Sequence, residues 1–168
     1  INNEFVHLLK AYSFPSDGKF IEVAIHVNCV QEIDRATEEA IAIDPGYACA
    51  YSLLGGTYYA DLWMGTTKTP KQDIAKAKEM AEKAIALNPL LGGPHAMLSR
   101  VFIMTGQHDK AIATARKAVD LHPNSILGLT AMGLALRSAG RSQESIPFLE
   151  QAVRIDPYSG LALYSLGM

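Results

Sequence analysis

A chain of 168 residues, 49% of them hydrophobic, has enough apolar surface for one domain with a sizeable core or for several stacked small units. Its 15 basic and 17 acidic residues leave a formal charge of −2 without a block of like charge, which excludes the basic footprint of a nucleic-acid binder. Cys29 and Cys49 are too few for a disulfide framework or a four-ligand zinc site. They read as free thiols of a reducing, cytoplasmic setting. No apolar run approaches the roughly 18 residues of a membrane span and no basic-then-apolar signal segment opens the chain, so neither a nucleic acid nor a membrane is expected as a partner.

In chain order, residues 2–12 and 28–43 fit a pair of helices, separated by the irregular segment FPSDGKF. This pair reads as a degenerate first repeat over residues 1–45. From there the chain is periodic. Pro89, Pro123 and Pro157 stand 34 residues apart and close the phrases AIALNP, AVDLHP and AVRIDP, and the earlier AIAIDP ends at Pro45. The same step relates Leu98, Met132 and Leu166, then Gly106 and Gly140, Ile112 and Ile146, and Ala84, Ala118 and Ala152. A fixed period of this length marks an array of one supersecondary unit. The units are residues 46–89, 90–123 and 124–157, and residues 158–168 read as the first helix of a truncated repeat. Pro45 and Pro89 are 44 apart, so the first full repeat carries ten extra residues, expected between its helices at about residues 61–70. Ile1 in place of Met, and an apolar pattern still running at Met168, lead to the expectation that both ends are domain boundaries within a longer protein.

Within each unit the spacing predicts a helical hairpin. Apolar residues recur at three and four steps, as in Leu98, Val101 and Phe102 and then Ile112, Ala115 and Val119, giving each helix one buried stripe. Gly106 and Gly140 stand where the chain leaves the first helix in a left-handed conformation, and the closing Pro stops the second helix. Small residues, Gly55, Ser99, Gly133 and Gly167 in first helices and Ala77, Ala111 and Ser145 in second ones, permit close helix approach. The fold class read from this pattern is all-α.

These residues resemble the tetratricopeptide repeat, a helix-turn-helix of 34 residues. Tyr51, Leu54, Gly55, Tyr58, Ala77, Ala81, Ala84 and Pro89 carry the likeness in the long repeat, and Leu98, Phe102, Gly106, Ala111, Ala115, Ala118 and Pro123 in the next. Leu129, Met132, Gly133, Leu136, Gly140, Ala152 and Pro157 carry it in the third. His95 and Leu129 at the usual aromatic place, Ser99 for Gly and Ser145 for Ala depart from the pattern. The resemblance implies a right-handed superhelical solenoid whose concave surface, lined by first helices, binds a partner protein or peptide. Residues 61–89 and the helix pair that follows also resemble repeat arrays found downstream of class III nucleotide-cyclase domains, which implies a regulatory or sensor segment of a larger signalling enzyme.

The groove places implied by the resemblance are Cys49, Ser52, Gly56, Tyr59 and Ala60, then Gly93, Ala96, Arg100, Ile103 and Met104. The third repeat supplies Leu127, Thr130, Leu134, Arg137 and Ser138, and the last fragment Leu161, Tyr164 and Met168. The carboxylate clamp of chaperone co-factors in this family is absent, since its places hold Cys49, Ser52, Gly56 and Ala96. An apolar or amphipathic segment is therefore expected in the groove, with an acidic group paired to Arg100 or Arg137. Two alternatives stand beside this: the apolar lining is covered by neighbouring repeats, and the two arginines are solvated or paired within the array. Trp63, with Leu62 and Met64, reads either as an exposed hook or as a residue buried against its neighbours. The uncovered apolar face of the terminal helix gives a homo-oligomer as a second kind of partner.

No enzyme is expected. His7, His26, His95, His108 and His122 show no metal-ligand spacing, so no metal or other cofactor is implied. GTTKT at Gly65 lacks the glycine that a phosphate-binding loop needs before its Lys, and Glu38, Glu39 and Asp44 are explained by solvation and helix ends.

Overall fold

The computed structural model describes residues 19–159 and residues 162, 163, 165 and 167, with side chains described from residue 31 onward. Among the described residues the chain is helical throughout: α1 (Lys19–Ile43), α2 (Ala48–Met64), α3 (Pro70–Leu87), α4 (Gly92–Met104), α5 (His108–Leu121), α6 (Ile126–Ser138) and α7 (Ser142–Ile155). The helix expected over residues 2–12 lies outside the described residues. Its partner starts at Lys19 rather than at residue 28, because from Lys19 to Ile43 the sequence contains neither Gly nor Pro to break it.

The ten extra residues do not form an inserted loop. Helix α2 has 17 residues where α4 and α6 have 13, and α3 has 18 where α5 and α7 have 14. The turn over residues 65–69 is five residues long against three in the later hairpins, and these differences account for all ten. The first full hairpin is therefore about one helical turn, ~6 Å, taller than its neighbours. The reason is local: DLWM continues the apolar helix, and Pro70 at the start of α3 presets the next one.

All three hairpins turn on the same device. Gly65, Gly106 and Gly140 take φ of 68°, 71° and 77°, and the next amide reaches back to a first-helix carbonyl: Thr66 to Asp61, Gln107 to Phe102 and Arg141 to Leu136. A side chain in that left-handed conformation would be strained.

The hairpins close on small residues. Ala77, Ala81, Ala84, Ala111, Ala115, Ala118 and Ala152 are 0% exposed, so the deepest stripe of α3 and of α5 is alanine, with Ile112 and Val119 packing from the margin of α5, whereas α7 buries Ser145, Leu149 and Ala152. Against it lie Gly55, Ser99 and Gly133 of the first helices. A Cβ on Gly55 would meet Met80 Cβ at 3.2 Å and the Ala77 carbonyl oxygen at 3.3 Å. Ser99 is tolerated at this place because its Oγ donates to the Ala111 carbonyl at 2.8 Å, which turns the crowding into a hydrogen bond. Leu129, Met132, Leu136 and Leu149 fill the rest of the third hairpin at no more than 1% exposure, each contributing about 1.5–3 kcal/mol by burial.

A cation–aromatic pair staples two of the hairpins. Lys76 lies 4.9 Å from the Tyr58 ring centre and Lys110 5.8 Å from that of Phe102, at equivalent repeat positions. In the third hairpin both members change together, to Leu136 and Glu144, and Glu144 pairs instead with Arg141 at 2.6 Å.

Each second helix packs on the next first helix: α1 on α2, α3 on α4, α5 on α6. First helices also pack on one another, α4 on α6 and, over less surface, α2 on α4, whereas successive second helices have no comparable contact. The first helices thus follow the shorter path along the array, and the fold is an all-α helical repeat solenoid with α2, α4 and α6 on its inner side.

Two measurements test this packing. A Cβ on Gly133 would fall 2.3 Å from Leu149 Cδ2 in a filled core, so Gly133→Ala should lower stability by about 1–3 kcal/mol in urea unfolding. The second concerns Asp34 on α1, which accepts a hydrogen bond from Thr57 Oγ1 on α2. Burial raises its carboxyl above the ordinary value, Asp61 and Glu38 add to the rise, and Thr57 and Lys76 oppose it. The folded chain keeps this proton to a higher pH than the unfolded chain, so this contribution to stability is lost as pH rises from the ordinary carboxylate value through the raised one. Asp34→Asn, whose oxygen still accepts from Thr57, should melt with the parent below that interval and above the parent beyond it in a pH series of thermal melts.

Candidate partner-binding groove

The face that each first helix turns away from its own hairpin is set by helical register. Tyr51, Leu54 and Gly55 in α2, His95, Leu98 and Ser99 in α4, and Leu129, Met132 and Gly133 in α6 point into the hairpins and are buried. Places offset by about half a helical turn from these form the opposite face. That is where the residues read from sequence as groove-lining fall.

They do not all reach the surface. Cys49, Met104, Leu127 and Arg137 are exposed, and Ser52, Gly56, Tyr59, Ala60, Gly93, Ile103, Leu134 and Ser138 are half-buried. Ala96 is 2% exposed and Thr130 0%, so these two are corrected to packing residues. Ala96 belongs to the core that α4, α5 and α6 share, and Thr130 is sealed at the α4–α6 contact with its hydroxyl donating to the Ile126 carbonyl at 2.7 Å. Both sit at the lateral edge of a first helix, where the neighbouring first helix covers them. Tyr164, Leu161 and Met168, and with them the terminal-helix face read as an oligomer contact, lie outside the described residues.

Three of the sequence-derived residues come together across three helices. The Arg100 guanidinium on α4 lies 5.7 Å from the ring centre of Tyr59 on α2, and its Nη2 donates to Thr130 Oγ1 on α6 at 3.0 Å. Arg100 is 7% exposed, and its Nε is buried without a hydrogen-bond partner. Burial pulls the guanidinium below the ordinary arginine value, with the Tyr59 phenol partly offsetting it. The ion pairs among the described residues are Arg35 with Glu39, Lys78 with Glu82 and Arg141 with Glu144, all exposed; Arg100 has no carboxylate.

Arg137 behaves differently. Its Nη1 donates to the backbone carbonyl of Ser165, so it is spent on holding the chain beyond α7 against the third repeat.

Sequence reading missed one part of the site. Cys49 and Leu53, the latter 52% exposed, edge a hollow of about 470 Å³ between α1 and α2, lined also by Ile33, Ala36, Ala40 and Tyr47 with Glu32 and Arg35 at its rim. The available signal was the spacing of Cys49 and Leu53, four residues apart on one helix face.

The remaining candidates have structural partners. His95 Nε2 donates to the Pro89 carbonyl at 3.1 Å and His122 Nε2 to that of Leu90 at 3.2 Å, which ties turns between repeats to the helices beside them, and His108 Nδ1 meets Ser138 Oγ at 3.1 Å. Trp63 is 54% exposed on the last turn of α2, above a tip held by Thr66 on Asp61 and Thr67 on Asp73. Among the described residues no group of His, Cys, Asp and Glu is placed to hold a metal ion, and no helix is long and apolar enough to cross a membrane.

Replacing Arg100 by Met removes a buried charge that lacks a counter-ion, while Thr130 keeps its bond to Ile126. Unfolding in urea should show Arg100→Met equal in stability to the parent or about 1 kcal/mol above it.

Residues 97–125 and 128–159 match two family models described as tetratricopeptide repeat. Over 130 residues the chain is 25% identical to anaphase-promoting complex subunit 3 of Schizosaccharomyces pombe, an alignment covering 77% of this chain and 18% of that protein. It is 33% identical over 93 residues to small glutamine-rich tetratricopeptide repeat-containing protein 2 of Mycosarcoma maydis, covering 55% and 26%. The chain thus spans about a fifth to a quarter of the length of these relatives. The fold superposes on a thermophilic TPR protein of Thermus thermophilus with a TM-score of 0.69 and 21% identity, over 84% of this chain and 73% of that one. None of these matches bears on the resemblance of residues 61–89 to cyclase-associated arrays.

Proposed function

We propose that this tetratricopeptide-repeat protein is a protein-interaction scaffold whose inner face, built by α2, α4 and α6, takes up a segment of a partner protein. The observation that carries the reading is the contact of first helix on first helix, which joins their outward faces into one surface with exposed apolar side chains at Cys49, Leu53, Met104 and Leu127. Three first helices about 10 Å apart span about 20 Å, the reach of roughly six extended residues. Exposed apolar side chains shared by the neighbouring helices of one face support an interaction site there. Tetratricopeptide repeats are protein-interaction modules, and one relative is named as the subunit of a multi-subunit complex, which supports the same reading. The array works by binding; the histidines described above are tied to backbone carbonyls or a serine rather than gathered into a reactive group.

A peptide selected on the immobilised chain from a random display library of about twelve residues, twice the groove's span, provides the probe. Met104→Glu and Leu127→Glu should each weaken its binding about tenfold or more, as expected for charges placed in an apolar contact. Ile146→Glu on the outer helix α7 should leave it unchanged. Fluorescence anisotropy reads the difference, and equal loss at all three positions would place the site elsewhere.

A further inference from the structure

Repeat stacking does not require an arginine at the place of Arg100. The equivalent residue is Gly56 in α2 and Leu134 in α6, and both of those helices pack in the same array. An arginine recruited to brace helices satisfies its donors on the protein or leaves them in water, as Arg141 does on both oxygens of Glu144 and as the exposed Arg137 does with one donor on the Ser165 carbonyl. Arg100 does not. Of its five N–H donors, one is placed on Thr130; Nε is sealed without a partner, and Nη1, also without a described partner, is not sealed. The Tyr59 ring on α2 and the Thr130 hydroxyl on α6 hold the guanidinium from the two helices that flank α4, so the fork is oriented before anything binds. Preorganised, poorly hydrated guanidinium is the arrangement that pairs best with a carboxylate.

We propose that Arg100 is an anion subsite at the centre of the inner face, seating the side-chain carboxylate of an Asp or Glu carried within an apolar segment of the partner. This rests on the groove reading above. An internal residue is the source because Arg100 lies on the middle one of the three first helices described, α2, α4 and α6. Apolar surface continues to either side of it, at Leu53 on α2 and at Leu127 and Leu134 on α6. A chain ending in a carboxylate at Arg100 would leave one of these flanks uncovered.

The test uses the display-selected peptides, resynthesised with acetylated and amidated ends, against the parent chain and Arg100→Met. The expected result is one acidic position flanked by apolar residues, whose Glu→Gln change weakens binding to the parent about tenfold or more and changes nothing on Arg100→Met. The Arg100 Nε–Hε resonance should also shift with the Glu peptide and stay in place with the Gln peptide. Because the peptide change leaves the protein intact, the comparison holds even where Arg100→Met folds poorly. Groove-binding peptides without an acidic residue, or equal affinity of the Glu and Gln forms, overturn the subsite while the groove reading stands. A gain that follows freeing the peptide's C-terminal carboxylate rather than the internal Glu overturns it as well. If no selected peptide responds to Met104→Glu or Leu127→Glu, both readings fall together.

Discussion

The close approach of paired helices through glycine, serine and alanine is the constraint on which the rest of this array depends. Gly55 and Ser99 meet alanine stripes that are 0% exposed and Gly133 meets the buried Leu149, leaving no volume for larger side chains at the crossing. With the hairpins that thin, each second helix reaches the next first helix, and first helices reach one another. Curvature follows from that contact pattern, and so does the existence of an inner face. Ser99 shows how narrow the tolerance is: it fits because its hydroxyl finds the Ala111 carbonyl at 2.8 Å.

Charge is placed on this scaffold in two ways. On the outside, lysines lie over Tyr58, Tyr51 and Phe102, where solvation makes them inexpensive and their stems cover aromatic surface. On the inside, Arg100 is held by a ring and a hydroxyl without a counter-ion, where a charge costs the most. A stability argument accounts for the first arrangement. The second makes physical sense as a site kept ready for an opposite charge, its cost set against affinity for the partner.

The taller first hairpin adds a further asymmetry to an otherwise regular array. Its additional turn carries Trp63 at 54% exposure above a tip tied by threonine hydroxyls to Asp61 and Asp73. At the same end the hollow between α1 and α2 opens beside Cys49 and Leu53.

The sequence by itself determined the repeat, the helical hairpin and the all-α class, because Pro at each closing phrase, Gly at each turn and small residues at each crossing act through local backbone geometry and side-chain volume. It also placed Arg100, Tyr59 and Leu127 on one face, since helical register is a property of spacing alone. Tertiary structure decided what register cannot: that Ala96 and Thr130 are covered by the neighbouring first helix, that Arg137 is spent on the Ser165 carbonyl, and that ten extra residues lengthen two helices instead of forming a loop. It alone brought Tyr59, Arg100 and Thr130 together. Their contact depends on the lateral distance between successive first helices, which is fixed by how three hairpins pack and not by the order of residues within any one of them.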